Sequence, residues 1–452
     1  MFQRTEVLGR PNRTAVWLGA TIGAATVGLW LMSSLSRQDG IYWFLAGLDL
    51  VLSFIFYPFG VLQFIFLNLI GELTFEDASQ LTPVRILGLV IVFRRLIDLA
   101  FRGMPLKMAK APMLVWAFLF MLSLGVSIFA SQDISESLTV LFTYVQLLIM
   151  FFLVIDFVRG EGEFKYLLMV FVLSSLVNAG FAIYQFHFEN MARVGGTIGN
   201  ANRFGIIQLV LLCLIAPVFG SLSAGWLRFA MWLALGPIAY SILLSFSRGA
   251  FVAAVAVLLY YLLFLRSGGV RPKVALVVVI LAAFVLAPEG FYDRIDTIRI
   301  ALSGTQLREG SIPTRLLYYR AGVQMGLDHP LTGVGLGQFN RHIATYANLR
   351  TVEARGAHNM YVSVFAETGI IGLIAFLGFL ATSFVAVRGR QRLSLLGTRF
   401  GTAFANSAEL GNTALLFGGL FASLEYSKVL WILLALAAAV RKPDNSEDVV
   451  LG

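Results

Sequence analysis

Cysteine occurs once in this 452-residue chain, histidine four times, and charged side chains make up 13% of it. The lone Cys213 excludes an intrachain disulfide and a cysteine-built metal cluster. It lies in the apolar run 203 to 222 and reads as a small core residue. The scarcity of charge excludes a water-soluble fold, since soluble domains carry about 25% charged residues whereas 58% of this chain is apolar. Strict apolar–polar alternation is also missing, which excludes a closed outer-membrane barrel whose strands face lipid and lumen in turn. Only one long stretch, 289 to 358, is not apolar, and it contains no lysine.

What is present is a succession of apolar runs, at about 15–35, 41–70, 84–101, 111–130, 137–158, 164–187, 203–222, 225–246, 249–265, 273–288, 360–387, 403–421 and 424–440. Runs of this length and purity predict an all-α, polytopic transmembrane helical bundle. As a single helix, 41–70 would be about 45 Å long, well beyond a hydrocarbon core of about 30 Å. Pro58 and Gly60 stand where a hinge between two short crossings would fall. The count is therefore 12 to 14 spans, with 14 preferred. The basic, apolar residues 1–35 resemble a signal sequence and read as an uncleaved first helix, because further spans follow.

Charge placement supports the count of fourteen. It assigns one side to Arg4, Arg10 and Arg13, then Arg102, Lys107 and Lys110, then Arg159 and Lys165, then Arg266, Arg271 and Lys273, then Arg388, Arg390, Arg392 and Arg399, then Arg441 and Lys442. By the positive-inside rule that side is the cytoplasm. The stretch 289–358 then faces outward, with a helix expected from Thr314 to Leu327, introduced by Pro313 and closed before His329 and Pro330.

The outward stretch carries Arg294, Arg299, Arg308, Arg315, Arg320, Arg341, Arg350 and Arg355. Arginine presents a planar fork of donors to phosphate oxygens and stays charged when partly desolvated, so the set reads as an anion site. Pairing with Glu289, Asp293, Asp296, Glu309, Asp328 and Glu353 is the plainer reading of any one of them. Arg248, in the corner Ser245-Phe246-Ser247-Arg248-Gly249, lies close to hydrocarbon and is a functional candidate on that ground, with snorkelling to headgroups as the competing role. Arg315 and Arg320 are about 140° apart on their helix and could flank a phosphate without forming one stripe.

His358 stands at the mouth of a span, and Asn359 after it can cap the helix that follows. Neighbouring arginines favour its neutral imidazole, which suits general-base work on a hydroxyl. His187, His329 and His342 read as interface, turn and helix-surface residues. Glu367, Glu409 and Asp49 are buried acids whose partners the sequence does not name. Gly333-Val334-Gly335-Leu336-Gly337 has neither the context nor the spacing of a dinucleotide loop and reads as a turn. Asn12-Arg13-Thr14 falls on the cytoplasmic side and reads as a chance glycosylation match. The outward stretch has no Asp-x-Asp pair, so a metal-bound nucleotide-sugar donor is not expected.

Four pieces in order, Gly196-Thr197-Ile198-Gly199-Asn200-Ala201-Asn202, the Ser245–Gly249 corner, His329-Pro330-Leu331-Thr332-Gly333-Val334-Gly335-Leu336-Gly337-Gln338-Phe339, and Ala357-His358-Asn359 with Ala366-Glu367-Thr368-Gly369-Ile370-Ile371-Gly372, resemble the O-antigen ligase and O-antigen polymerase superfamily. The resemblance covers roughly 190 to 390. It implies a GT-C-type glycosyltransferase of the bacterial inner membrane, working at the periplasmic face without cofactor or metal. The donor would be a glycan on undecaprenyl pyrophosphate, and an acceptor hydroxyl would attack the anomeric carbon with inversion. Carried over by position, His358 matches the family's essential histidine, Arg248 and Arg315 its donor-binding arginines, and Arg320 is a further addition.

The chain then divides into N-terminal helices (1–187), central helices with the Arg248 corner (188–288), a periplasmic catalytic loop (289–358), and C-terminal helices with a cytoplasmic tail (359–452). Expected partners are the lipid-linked donor, a glycan or lipid A core acceptor, membrane lipids and a chain-length regulator, with no nucleic acid. Polymerase and ligase remain alternatives, and fourteen spans lean toward polymerase by analogy. A transporter or flippase of lipid-linked sugars is the competing class. Against it, the halves show no self-similarity and charge gathers at one face.

Overall fold

The computed structural model describes residues 40–70, 82–108, 111–221, 225–265, 312–348, 356–391 and 399–439. The runs 15–35 and 273–288, the arginines at 294, 299, 308, 350 and 355, and the basic N- and C-terminal ends lie outside the described residues. Among the described residues there is helix and no strand, as expected of an all-α membrane protein. The helices are α1 (Gly40–Ile55), α2 (Tyr57–Ile70), α3 (Pro83–Arg102), α4 (Ala111–Ser127), α5 (Ile134–Phe157), α6 (Glu161–His187) and α7 (Ala201–Ile215). They continue with α8 (Gly225–Leu244), α9 (Arg248–Phe264), α10 (Ile312–Asp328), α11 (Phe339–Tyr346), α12 (Met360–Gln391), α13 (Arg399–Gly418) and α14 (Lys428–Ala439). Among the described residues five stretches are long and apolar enough to cross a membrane: Pro112–Ala130, Ile134–Phe157, Gly162–His187, Ala201–Phe219 and Met360–Arg388.

Helices α1 to α3 form one compact unit and α4 to α14 another. In the first, the run 41–70 breaks at Phe56, just before Pro58. The two halves fold against each other: Ser53 Oγ donates to Gln63 Oε1 at 3.0 Å, and Gln63 Nε2 donates to Asp49 Oδ2 at 2.6 Å. A Cβ on Gly60 would come 2.9 Å from the Ser53 carbonyl, so glycine permits the approach. Each half is under about 25 Å long, less than a hydrocarbon core of about 30 Å. Asp49 thus acquires a partner that the sequence did not name.

In the second unit, α12 packs along α4 and α10, α13 along α7 and α9, and α14 along α5. Polar ties sort the connections into two ends. At one end Lys107 Nζ donates to the carbonyls of Val158 (2.5 Å) and Ala439 (2.8 Å). There too Lys165 sits 4.9 Å from the centre of the Phe400 ring, and Arg388 5.8 Å from that of Phe264. These cations come from the connections that charge placement assigns to one side. At the opposite helix ends lie Ser131–Asp133, 188–200, the Ser245–Arg248 corner, α10, α11 and the connection between α13 and α14.

Two boundaries differ from the sequence reading. The runs 403–421 and 424–440 leave a two-residue connection, whereas α13 ends at Gly418 and α14 starts at Lys428. Gly418, Gly419 and the polar Ser423, Glu425 and Ser427 end the helices early. Helix α12 is also kinked, because Gly369 has φ 69° and ψ −165°. The kink lets Ile370 N donate to Pro330 O at 2.8 Å and Val334 N to Ala366 O at 2.9 Å. Thus the segments 329–339 and 366–372 interlock, and Gly333, Gly335 and Gly337 all take positive φ in the expected turn.

Candidate functional site

Asn200 starts the site from the sequence upward. Its Oδ1 accepts from Asn202 N and Arg203 N, each at 3.1 Å, capping α7. Asn202 Oδ1 then accepts from Arg193 Nη2 at 2.5 Å and from Ser247 Oγ at 3.3 Å, while Arg193 Nε donates to Ser245 O at 3.1 Å. The 196–202 segment therefore braces the Ser245–Gly249 corner. Gly205 completes the brace, because a Cβ there would lie 2.5 Å from Ser245 Oγ. Phe246 takes φ 46°, Ser247 caps α9 by accepting from Ala250 N at 3.2 Å, and Arg248 is the first helical residue, partly buried.

Helix α10 agrees with the helix expected over 314–327. Arg315 is partly buried on it and Arg320 exposed. Tyr319, one turn beyond Arg315, donates to Leu420 O at 2.9 Å and approaches His358 O at 3.3 Å. Burial pushes the Tyr319 hydroxyl up, while the Arg315 guanidinium and a hydrogen bond with Asn359 pull it back down. Arg315, Tyr319 and Asn359 are therefore neighbours.

His358 has φ 52°, a left-handed backbone that only an over-determined setting holds in a non-glycine residue. That setting is present on both sides of it. Asn359 Oδ1 accepts from Tyr361 N (3.0 Å) and Val362 N (3.1 Å), the expected cap of α12. Met360 N donates to Gly419 O at 2.8 Å. His358 thus precedes α12, which begins at Met360.

One turn gathers these pieces. Gly249, next to Arg248, packs so closely on Phe421 that a Cβ would stand 2.5 Å from that residue's own Cβ. Leu420 receives Tyr319, Gly419 receives Met360, and the Ser423 carbonyl accepts from Arg203 Nε at 3.3 Å. The backbones bearing Arg248, Arg315 and His358 accordingly meet around residues 418–423. The sequence reading missed this turn, together with Tyr319, Arg193, Arg203 and Glu425. The available signal was an acid at 425 between two apolar runs.

Other candidates separate from this group. Arg341 Nη2 pairs with Asp133 Oδ2 at 2.8 Å and approaches Glu136 Oε2 at 3.8 Å, the plain surface role. Glu367 accepts from Phe339 N (3.4 Å) and Tyr426 Oη (3.2 Å), so it fastens the 329–339 turn. Glu409 accepts from Tyr260 Oη. His187 meets Tyr240 Oη at 3.0 Å, His329 lies in the turn after α10, and burial, with His329 and Arg341, lowers the pKa of the half-buried His342. Cys213 is buried in the core, as expected.

Residues 229–377 match the family described as O-antigen ligase. The match agrees with the resemblance to the O-antigen ligase and polymerase superfamily over that segment. The matched segment contains Arg248, Arg315, Arg320 and His358, and stops before the 418–423 turn. The O-antigen ligase match supports a membrane enzyme of the ligase or polymerase kind. No curated protein matches the chain.

Proposed function

We propose that the protein transfers a glycan from undecaprenyl pyrophosphate to an acceptor hydroxyl at the periplasmic face of the bacterial inner membrane. The observation that carries this reading is the meeting of the Arg248, Arg315 and His358 segments around one turn, inside or against the O-antigen ligase segment. In this reading His358 is the catalytic base and removes the hydroxyl proton as the acceptor oxygen attacks the anomeric carbon from the face opposite the leaving group, inverting it. Arg248 and Arg315 bind the pyrophosphate and stabilise the charge that grows on it, a role for which preorganised cations suit better than solvent. Arg320, exposed on the same helix, meets the outer phosphate. No metal is needed for this division of labour, since the arginines supply the positive charge.

The reading keeps the fourfold division at 187, 288 and 358, with the 289–358 loop catalytic and the basic ends cytoplasmic. It also keeps the growing glycan or lipid A core as acceptor and a chain-length regulator as partner. The expected outcome is that His358→Ala and Arg248→Ala each abolish surface polysaccharide in cells while the protein stays in the membrane at normal level. Normal polysaccharide in both variants overturns it.

A further inference from the structure

Glu425 has no part in that scheme, yet it is a buried acid directly after the 418–423 turn. It is 2% exposed, and its Oε2 meets no hydrogen-bond partner among the described residues. A buried carboxylate oxygen without a donor is costly, and native structures retain one where it has work to do. Its surroundings point toward His358. Ser363, near the start of α12, is close enough to the carboxylate to favour its charged form. Ser363 Oγ meets Ser423 Oγ at 3.3 Å. Ser423 Oγ in turn lies 3.4 Å from where a Cβ on Gly356 would stand, two residues before His358. Gly356, His358 and Ser423 are all partly exposed, whereas Glu425 is buried.

The groups facing Glu425 come from every element around it. Arg203 of α7 favours its charged form, and Glu367 of α12 opposes it. Trp431 of α14 donates to its backbone carbonyl at 3.2 Å. Tyr426 lies beside it, and the ring of Tyr144 of α5 is centred 5.0 Å from that of Tyr426, tilted by 47°. Burial pushes the Glu425 carboxyl to about 8, with its own backbone bond, Arg203 and Ser363 opposing the rise. It is therefore an ionised carboxylate, able to take a proton, only as pH rises through that value.

We propose that Glu425 is a positioning residue of the transfer reaction, whose carboxylate receives, by way of the Ser423 and Ser363 hydroxyls and an intervening water, the proton that His358 takes from the acceptor. The inference rests on the glycan-transfer reading. In one turnover the acceptor O–H proton passes to the imidazole and the acceptor oxygen bonds to the anomeric carbon. The bond from that carbon to the pyrophosphate oxygen breaks with its electron pair left on the pyrophosphate. The imidazolium then hands its proton along the hydroxyls to Glu425, which restores the free base beside the arginines. The carboxylic acid releases the proton to water after the product leaves.

The test uses purified full-length protein, a lipid-pyrophosphate-linked glycan and the acceptor, with rates followed against pH. Glu425→Gln is expected to lower kcat by about tenfold or more, to leave the donor KM unchanged, and to erase the rising limb near pH 8. Should that variant fail to fold, Ser423→Ala and Ser363→Ala replace it, each expected to weaken the same limb. An unchanged kcat and pH profile in the folded variants overturns the relay. His358→Ala and Arg248→Ala run in parallel: activity in those two sinks the transfer reading itself, whereas their inactivity beside a normal Glu425→Gln sinks the relay alone.

Discussion

Tyr319 donates its hydroxyl to the carbonyl of Leu420 at 2.9 Å, across 101 positions of sequence. That bond ties the helix bearing Arg315 to the turn beneath His358, whose carbonyl lies 3.3 Å from the same hydroxyl. Tyr319→Phe keeps the ring and loses both contacts. The expected cost is about 1 kcal/mol of stability, with a larger proportional loss of transfer, read as a small fall in melting temperature beside a clear fall in polymer. Equal small losses in both would mean that the hydroxyl only holds the fold.

Gly249 offers a test of the corner without touching a charged group. A methyl there would stand 2.5 Å from Phe421 Cβ, well inside van der Waals contact. Gly249→Val should displace Arg248 from the 418–423 turn at a cost of about 1–3 kcal/mol. Membrane extracts should contain the protein, and surface polymer should be lost. Normal polymer from Gly249→Val would show that the contact does not position Arg248.

Much of this arrangement was legible in the sequence. Long apolar runs announced helices because a bilayer leaves backbone groups no partner but one another. Asn359 announced a cap, and Pro313 with Pro330 bracketed α10. What stayed hidden depended on distant contacts: nothing local to Asn202 says that it will receive Ser247, and nothing local to Tyr319 says that it will reach Leu420. The short polar connection at 419–427 was concealed for a different reason. Its Leu420, Phe421 and Leu424 are apolar, so hydropathy merged them with the flanking helices.

Arg341 separates surface arginines from those of the site. Its pairing with Asp133 leaves the side chain 45% exposed, and exposed pairs contribute about 0–1 kcal/mol. Arg341→Ala should therefore leave polymer and melting temperature near normal, while Arg315→Ala removes polymer. Loss of polymer in Arg341→Ala with a normal Arg315→Ala would exchange the two assignments.

Glu425 also links stability to pH. Its carboxyl holds a proton up to about 8 in the folded protein, against an ordinary value of 4.5. Between those two values the folded chain binds more protons than the unfolded one, so stability falls as pH rises. The contribution is complete below the ordinary carboxylate value and is lost by the time pH passes the folded one. Thermal unfolding in detergent from about pH 5 to about pH 8.5 should show the decline, and Glu425→Gln should flatten it. A slope unchanged by that substitution would assign the decline to another group.

Release of lipid pyrophosphate from a purified, glycan-loaded lipid donor in the presence of acceptor measures the central claim most directly. The wild-type protein should release it together with a lengthened or newly attached glycan. Arg248→Ala should bind the donor more weakly, and His358→Ala should bind it but release nothing. Release by His358→Ala at the wild-type rate would contradict the account.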